Sequence, residues 1–161
     1  VPANLVPRPL LSWDGFSVRC DLDLLERLAE RELPRRVEQL QGVRIAGAGP
    51  TLVITLRLAW QGLPAQLVVT ATDLRVYRRF LGCRIESLRG PLGVPVPLSM
   101  AAALLRRFAQ DRVRLDPKDG VLLVDLRPYL PEGVHVGVAA ATVTGRVLEL
   151  ELAPGSLAPP A

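Results

Sequence analysis

Residues 51–60 read TLVITLRLAW, with Leu52, Ile54, Leu56, Leu58 and Trp60 at the even positions and Thr51, Thr55 and Arg57 at odd ones. A side-chain period of two sends those sets to opposite faces of an extended chain, so the stretch predicts a strand with one buried and one wet face. Gln61-Gly62 fits a tight turn after it. Residues 65–80, rich in Val and Thr, predict a second long strand whose alternation slips near Asp73, as at a bulge. Residues 83–88 make a further strand, and the Pro- and Gly-rich run to Pro97 closes this half of the chain.

Upstream, residues 1–20 read as an extended, proline-rich lead-in. Asp23 followed by Glu26 makes a capping-box-like start, and Leu24, Leu25, Leu28, Leu33, Val37 and Leu40 recur at helical spacing up to Gly42. Pro34 interrupts that pattern, so the helix is expected to bend or break there. Downstream, Ser99 is the expected N-cap of a second helix over residues 100–110, with Leu104, Leu105 and Phe108 on one side. Asp116-Pro117-Lys118-Asp119-Gly120 predicts a hairpin turn between residues 113–115 and 121–126. Val134, Val136, Val138 and Ala140 alternate, Thr144-Gly145 marks a turn, and Leu148, Leu150 and Leu152 alternate against Glu149 and Glu151. Residues 153–161 read as a tail.

Shifting the sequence by 70 positions aligns Val43-Arg44-Ile45 with Val113-Arg114-Leu115 and residues 52–56 with 122–126. Each segment follows a helix, which suggests candidate repeats at 22–90 and 98–152. Two apolar strands also align without common origin. Either way the expected class is α+β: one domain over residues 21–152, with a long curved antiparallel sheet wrapped around two helices.

The chain has 161 residues and a net charge of +4, and 19 of its 20 cations are arginine. With 49% hydrophobic residues it is long enough to bury a core, which excludes disorder as its main state. The uncharged residues 90–105 contain Pro91, Pro95 and Pro97, and no run reaches the roughly 18–20 apolar residues of a membrane span. The chain opens on Val1, so a leader or anchor upstream is one expectation. Cys20 and Cys83 permit a disulfide or serve as buried fillers.

Catalytic signatures are sparse. His135, the single histidine, falls on the face opposite Val134, Val136 and Val138; no serine sits in a nucleophile elbow, and Gly47-Ala48-Gly49-Pro50 lacks phosphate-loop spacing. Neither a metal nor a cofactor motif is present, and no enzymatic activity is expected. Arg75, Arg78, Arg79, Arg84 and Arg89 cluster around Tyr77 and Phe80, a combination suited to anionic headgroups or to a phosphate backbone. A solvated outer face is the plainer account of such a cluster.

Leu130-Pro131-Glu132-Gly133-Val134-His135-Val136, leading through Thr144-Gly145 to Val147-Leu148-Glu149-Leu150, is similar to the closing proline-glycine turn and hairpin of the LmeA-like phospholipid-binding proteins. With the order of helix, meander, helix, meander, the chain resembles the tubular lipid-binding (TULIP-like) superfamily over residues 22–152. That resemblance implies a lipid carrier or membrane-surface sensor of the bacterial cell envelope, with phospholipid as ligand, contact with anionic membrane, and nucleic acid disfavoured. Its expected acyl groove is formed by Leu52, Ile54, Leu56, Leu122, Val124, Leu126, Val136, Val138 and Leu150, with the arginine cluster at the headgroup. The alternative is a fully packed, non-enzymatic interaction module with a basic partner-binding face.

Overall fold

The computed structural model describes residues 9–32, 39–108 and 112–158. It is an α+β fold dominated by one large antiparallel sheet. The four central strands are β3 (Leu40–Ala48), β4 (Thr51–Trp60), β5 (Leu63–Tyr77) and β6 (Phe80–Arg89), joined in a meander. β5 is 15 residues long and forms the spine. Its first part pairs with β4, and past its bulge Val76 pairs with Val138 of β10 (Val138–Thr144) on the same edge. The expected bulge is present: Asp73 has a φ of 53°, and the register against β6 shifts between Thr72 and Arg75. One extra residue bends β5, and the bend lets the strand serve two branches of sheet.

On one side the sheet continues from β6 to β8 (Val121–Asp125) and β7 (Val113–Leu115). On the other it continues from β10 to β11 (Val147–Leu152) and β2 (Phe16–Asp21). The lead-in expected over residues 1–20 is therefore corrected within its described part. Residues 16–21 pair fully with β11, from Phe16↔Leu152 to Asp21↔Val147. The tail is corrected likewise, because β12 (Gly155–Leu157) lies between β1 (Leu11–Trp13) and β9 (Val134–His135) in a small second sheet. Short strands paired across most of the chain give no local signal of their own. Residues 1–8 and 159–161 lie outside the described residues.

Helix α1 (Leu22–Glu32) starts two residues earlier than expected, because Asp21 rather than Asp23 caps it. The Asp21 Oδ1 accepts the amide hydrogens of Asp23 (2.8 Å) and Leu24 (3.1 Å). Leu22 is fully buried against Leu52 and Val143, with Leu25 packed beside them, while Leu24 and Leu28 face outward, contrary to expectation. The expected continuation through Leu33, Pro34 and Val37 lies outside the described residues, and Leu40 opens a strand. Helix α2 (Leu98–Phe108) begins with the Pro97 carbonyl accepting the Ala101 amide at 3.2 Å, so Ser99 lies inside its first turn. Ala102 is buried at 1% exposure, whereas Leu104 is 50% exposed. Neither helix is long and apolar enough to cross a membrane.

The two helices pack differently: α1 sits against β3 and β2, and α2 against β7. The order of helix then hairpin occurs twice, as α1, β3 and β4 and as α2, β7 and β8. The third strands diverge, since β5 pairs with β4 while β10 pairs with β5 and not with β8. Cys20 and Cys83 are free thiols, and burial pushes the Cys83 thiol up from its ordinary pKa.

Candidate functional site

Register assigns the faces of the sheet. Arg75, Gly82, Leu123 and Arg114 form one continuous cross-strand row through β5, β6, β8 and β7. Tyr77, Phe80 and Asp125 form the next row. Alternation sends their neighbours Val76, Leu81, Cys83, Leu122 and Val124 to the opposite, core-facing side. Leu115 and Leu122, with Leu98 of α2, pack on the buried cluster of Ala71, Cys83 and Ile85.

The outer rows border a groove of about 650 Å³. Its floor is apolar: Tyr77, Phe80, Gly82 and Leu123. Gly82 deepens it, because a Cβ there would stand 3.4 Å from Leu123 Cδ2. Its rim carries Arg75, Arg78, Arg112, Arg114 and Arg127 with one acid, Asp125. That acid is spoken for. Arg127 Nη2 donates to Asp125 Oδ2 at 2.6 Å and Arg127 Nε to Oδ1 at 2.9 Å, and the guanidinium lies 5.1 Å above the Phe80 ring. These hydrogen bonds, with the Arg127 amide as a further donor, pull the Asp125 carboxyl down to about 2. Arg75, Arg78, Arg112 and Arg114 form no ion pair among the described residues. Four guanidiniums thus keep their charge and forked donors open to an anion.

The β5–β6 turn places two of the expected arginines. Residues 65–80 were expected as a single strand, but the chain reverses at Arg78 and Arg79, whose φ values are 47° and 66°. Two left-handed residues are what a two-residue hairpin with the correct twist requires, though asparagine and glycine usually supply them. Arg78 points to the groove and lies 5.2 Å over the Tyr77 ring. Arg79 turns the other way and donates from Nη2 to the Arg127 carbonyl (3.0 Å) and the Leu130 carbonyl. It tethers residues 126–130, a role the sequence cluster did not announce. Arg84 borders a shallower depression beside the groove with Asp73 and Arg75. Arg89 is at the far end of β6, opposite Val68.

The expected acyl groove fares differently along its length. Leu52 (5% exposed) and Val138 (8%) are buried, with Leu52 inside the cluster of Leu22 and Val143. Protein side chains fill the space that an acyl chain would need at Leu52 and Leu122. Ile54, Leu56, Val124, Leu126 and Leu150 are half-buried. Val136 borders a separate depression of about 360 Å³ at the foot of the β5–β6 turn, near His135.

Arg112, Arg114 and Arg127 were missed by sequence reasoning. Arg112 and Arg114 alternate with Val113 and Leu115, a period-two signal for the wet face of β7. Nothing local ties that face to Arg75, because the connection runs through the β6–β8 pairing. Comparison of the chain with protein-family models, curated proteins and solved structures found no match.

Proposed function

We propose that this chain is a non-catalytic lipid-binding protein that engages anionic headgroups on the outer face of its sheet. The observation that carries the reading is the groove in which four guanidiniums, without an acidic partner among the described residues, surround an apolar floor. Phosphate oxygens suit the guanidinium forks, and the floor suits the first carbons of the chains or the glycerol region. Exposed aromatics beside arginines are also the composition that settles at a membrane interface: Tyr77 is 68% exposed and Phe80 37%. Membership of the tubular lipid-binding superfamily and residence at a cell envelope belong to the same proposal. The packing around Leu52 and Leu122 favours a surface-engaging binder over one that swallows whole acyl chains.

Co-sedimentation with vesicles tests it. Vesicles containing phosphatidylglycerol should retain the chain and pure phosphatidylcholine should not, with retention falling as salt screens the arginines. Equal recovery on both, or retention by single-stranded DNA that exceeds retention by anionic vesicles, would refute the reading.

A further inference from the structure

Beyond the groove the exposed positions of β6 carry Arg84, then Glu86, which accepts from the Thr72 hydroxyl at 3.3 Å, then Arg89. Arg44, Thr55, Val68 and Arg89 form another cross-strand row at the opposite end of β6. β6 has 10 residues, which at about 3.3 Å each puts this row roughly 30 Å from Phe80. Directly beyond Arg89 the chain reverses. Gly90 N donates to Val94 O at 2.8 Å, Val96 N to Leu88 O at 2.8 Å, and Pro95 bridges back to Arg89, so the reversal is pinned to the end of the sheet.

Leu92 occupies the tip of this reversal. It is fully exposed and has a φ of 59°, so a bulky apolar residue takes a left-handed backbone and gains no burial in return. Val94 beside it is 58% exposed, and Met100 and Leu104 continue the apolar exposure along α2 at 55% and 50%. From Gly90 through Leu105 there is no charged residue, while Arg89 and Arg106 stand immediately on either side. A pinned, uncharged apolar tip directly beyond Arg89, at the end of a face that carries Arg44, complements an anionic bilayer, whose headgroups meet the cations while the tip enters the acyl boundary.

We infer that the Pro91–Gly93 reversal is a membrane-insertion tip, with Leu92 and Val94 entering an anionic bilayer while Arg89 stays at headgroup level. This rests on the lipid reading for the identity of the partner, but on different residues from the groove. The test uses vesicles of phosphatidylglycerol and phosphatidylcholine in equal parts, with the full chain and its Leu92→Glu and Leu92→Trp variants. Because the Leu92 side chain touches nothing it could lose, both variants should fold as the parent does. Leu92→Glu should lower vesicle partitioning about tenfold or more. It should leave retention of inositol hexakisphosphate, a polyanion without acyl chains, unchanged. Leu92→Trp should add a vesicle-dependent blue shift, quenched by brominated acyl chains, above the background of Trp13 and Trp60. Unaltered partitioning of Leu92→Glu, or an unshifted Leu92→Trp on bound vesicles, would overturn the tip and leave the groove standing. Absence of vesicle binding by the parent chain would overturn both. A dimer that Leu92→Glu dissociates, with partitioning intact, would reassign the tip to self-association.

Discussion

The carboxylate of Glu26 on α1 accepts the amide hydrogen of Ile45 on the free edge of β3 at 2.7 Å. Arg146, from the β10–β11 turn, completes the arrangement by donating to the Ile45 carbonyl at 2.6 Å and to Glu26 at 2.9 Å. Glu30, one helical turn on, accepts the Val43 amide hydrogen at 3.4 Å. Side chains thus occupy edge groups that another strand would otherwise seek. The Ile45 and Arg146 hydrogen bonds hold the Glu26 carboxyl below its ordinary pKa. A lowered folded-state value stabilises the protein above the ordinary value of 4.5, and that stability is lost as pH falls through the folded value. Glu26→Gln should cost about 1–2 kcal/mol at pH 7. It should also flatten the acid limb of stability measured by urea unfolding between pH 5 and pH 3, and an unchanged limb would refute the link.

Leu22 is fully buried where α1, β4 and β10 meet. Leu22→Ala should destabilise the fold by about 3 kcal/mol, seen as a lower urea midpoint. A change below about 1 kcal/mol would mean that the site collapses around the cavity.

Arg75 and Arg114 lie in one cross-strand row with no acidic partner among the described residues, so removing both should cost the fold little. Each cation near an anionic surface is worth about 1 kcal/mol, so Arg75→Ala with Arg114→Ala should weaken vesicle partitioning about 30-fold. The melting temperature should stay within a degree or two of the parent, and the salt dependence should become shallower.

Gly82 keeps the groove open at some expense to β6. Gly82→Val should gain about 0.5–1 kcal/mol in strand stability while filling the floor beside Leu123. Stability by thermal melting and inositol hexakisphosphate binding should then move in opposite directions; parallel movement would argue that the floor is not used.

Leu92 offers a complementary test of strain. Leu92→Gly removes the left-handed penalty of about 1–2 kcal/mol and adds part of it back as chain entropy. The melting temperature should rise by about 2 °C. A drop would mean that the side chain makes a stabilising contact.

What could be read from the sequence was what local chemistry controls. The alternation of β4, the slip at Asp73, the Asp116–Gly120 turn and the Thr144-Gly145 turn all appear where residue type demands them. The Arg78-Arg79 reversal was hidden because arginine carries no turn signal. The buried side of α1 was misread because the helix is oriented by Glu26 and Glu30 reaching β3, not by its leucines alone. Arg75 and Arg78 were legible as part of a charged run. Arg112, Arg114 and Arg127 join them only through a non-local register.

β2 pairs along its whole length with β11, so Arg19 meets Glu149 across 130 positions of chain. A ribosome delivers β2 long before β11, which follows about 130 residues later. During that interval the apolar side of β2 has no native partner, and α1 has only the β3 side of its final seat. This edge of the sheet therefore closes only once β11 has been made, and until then the unpaired edge of β2 is open to premature strand pairing.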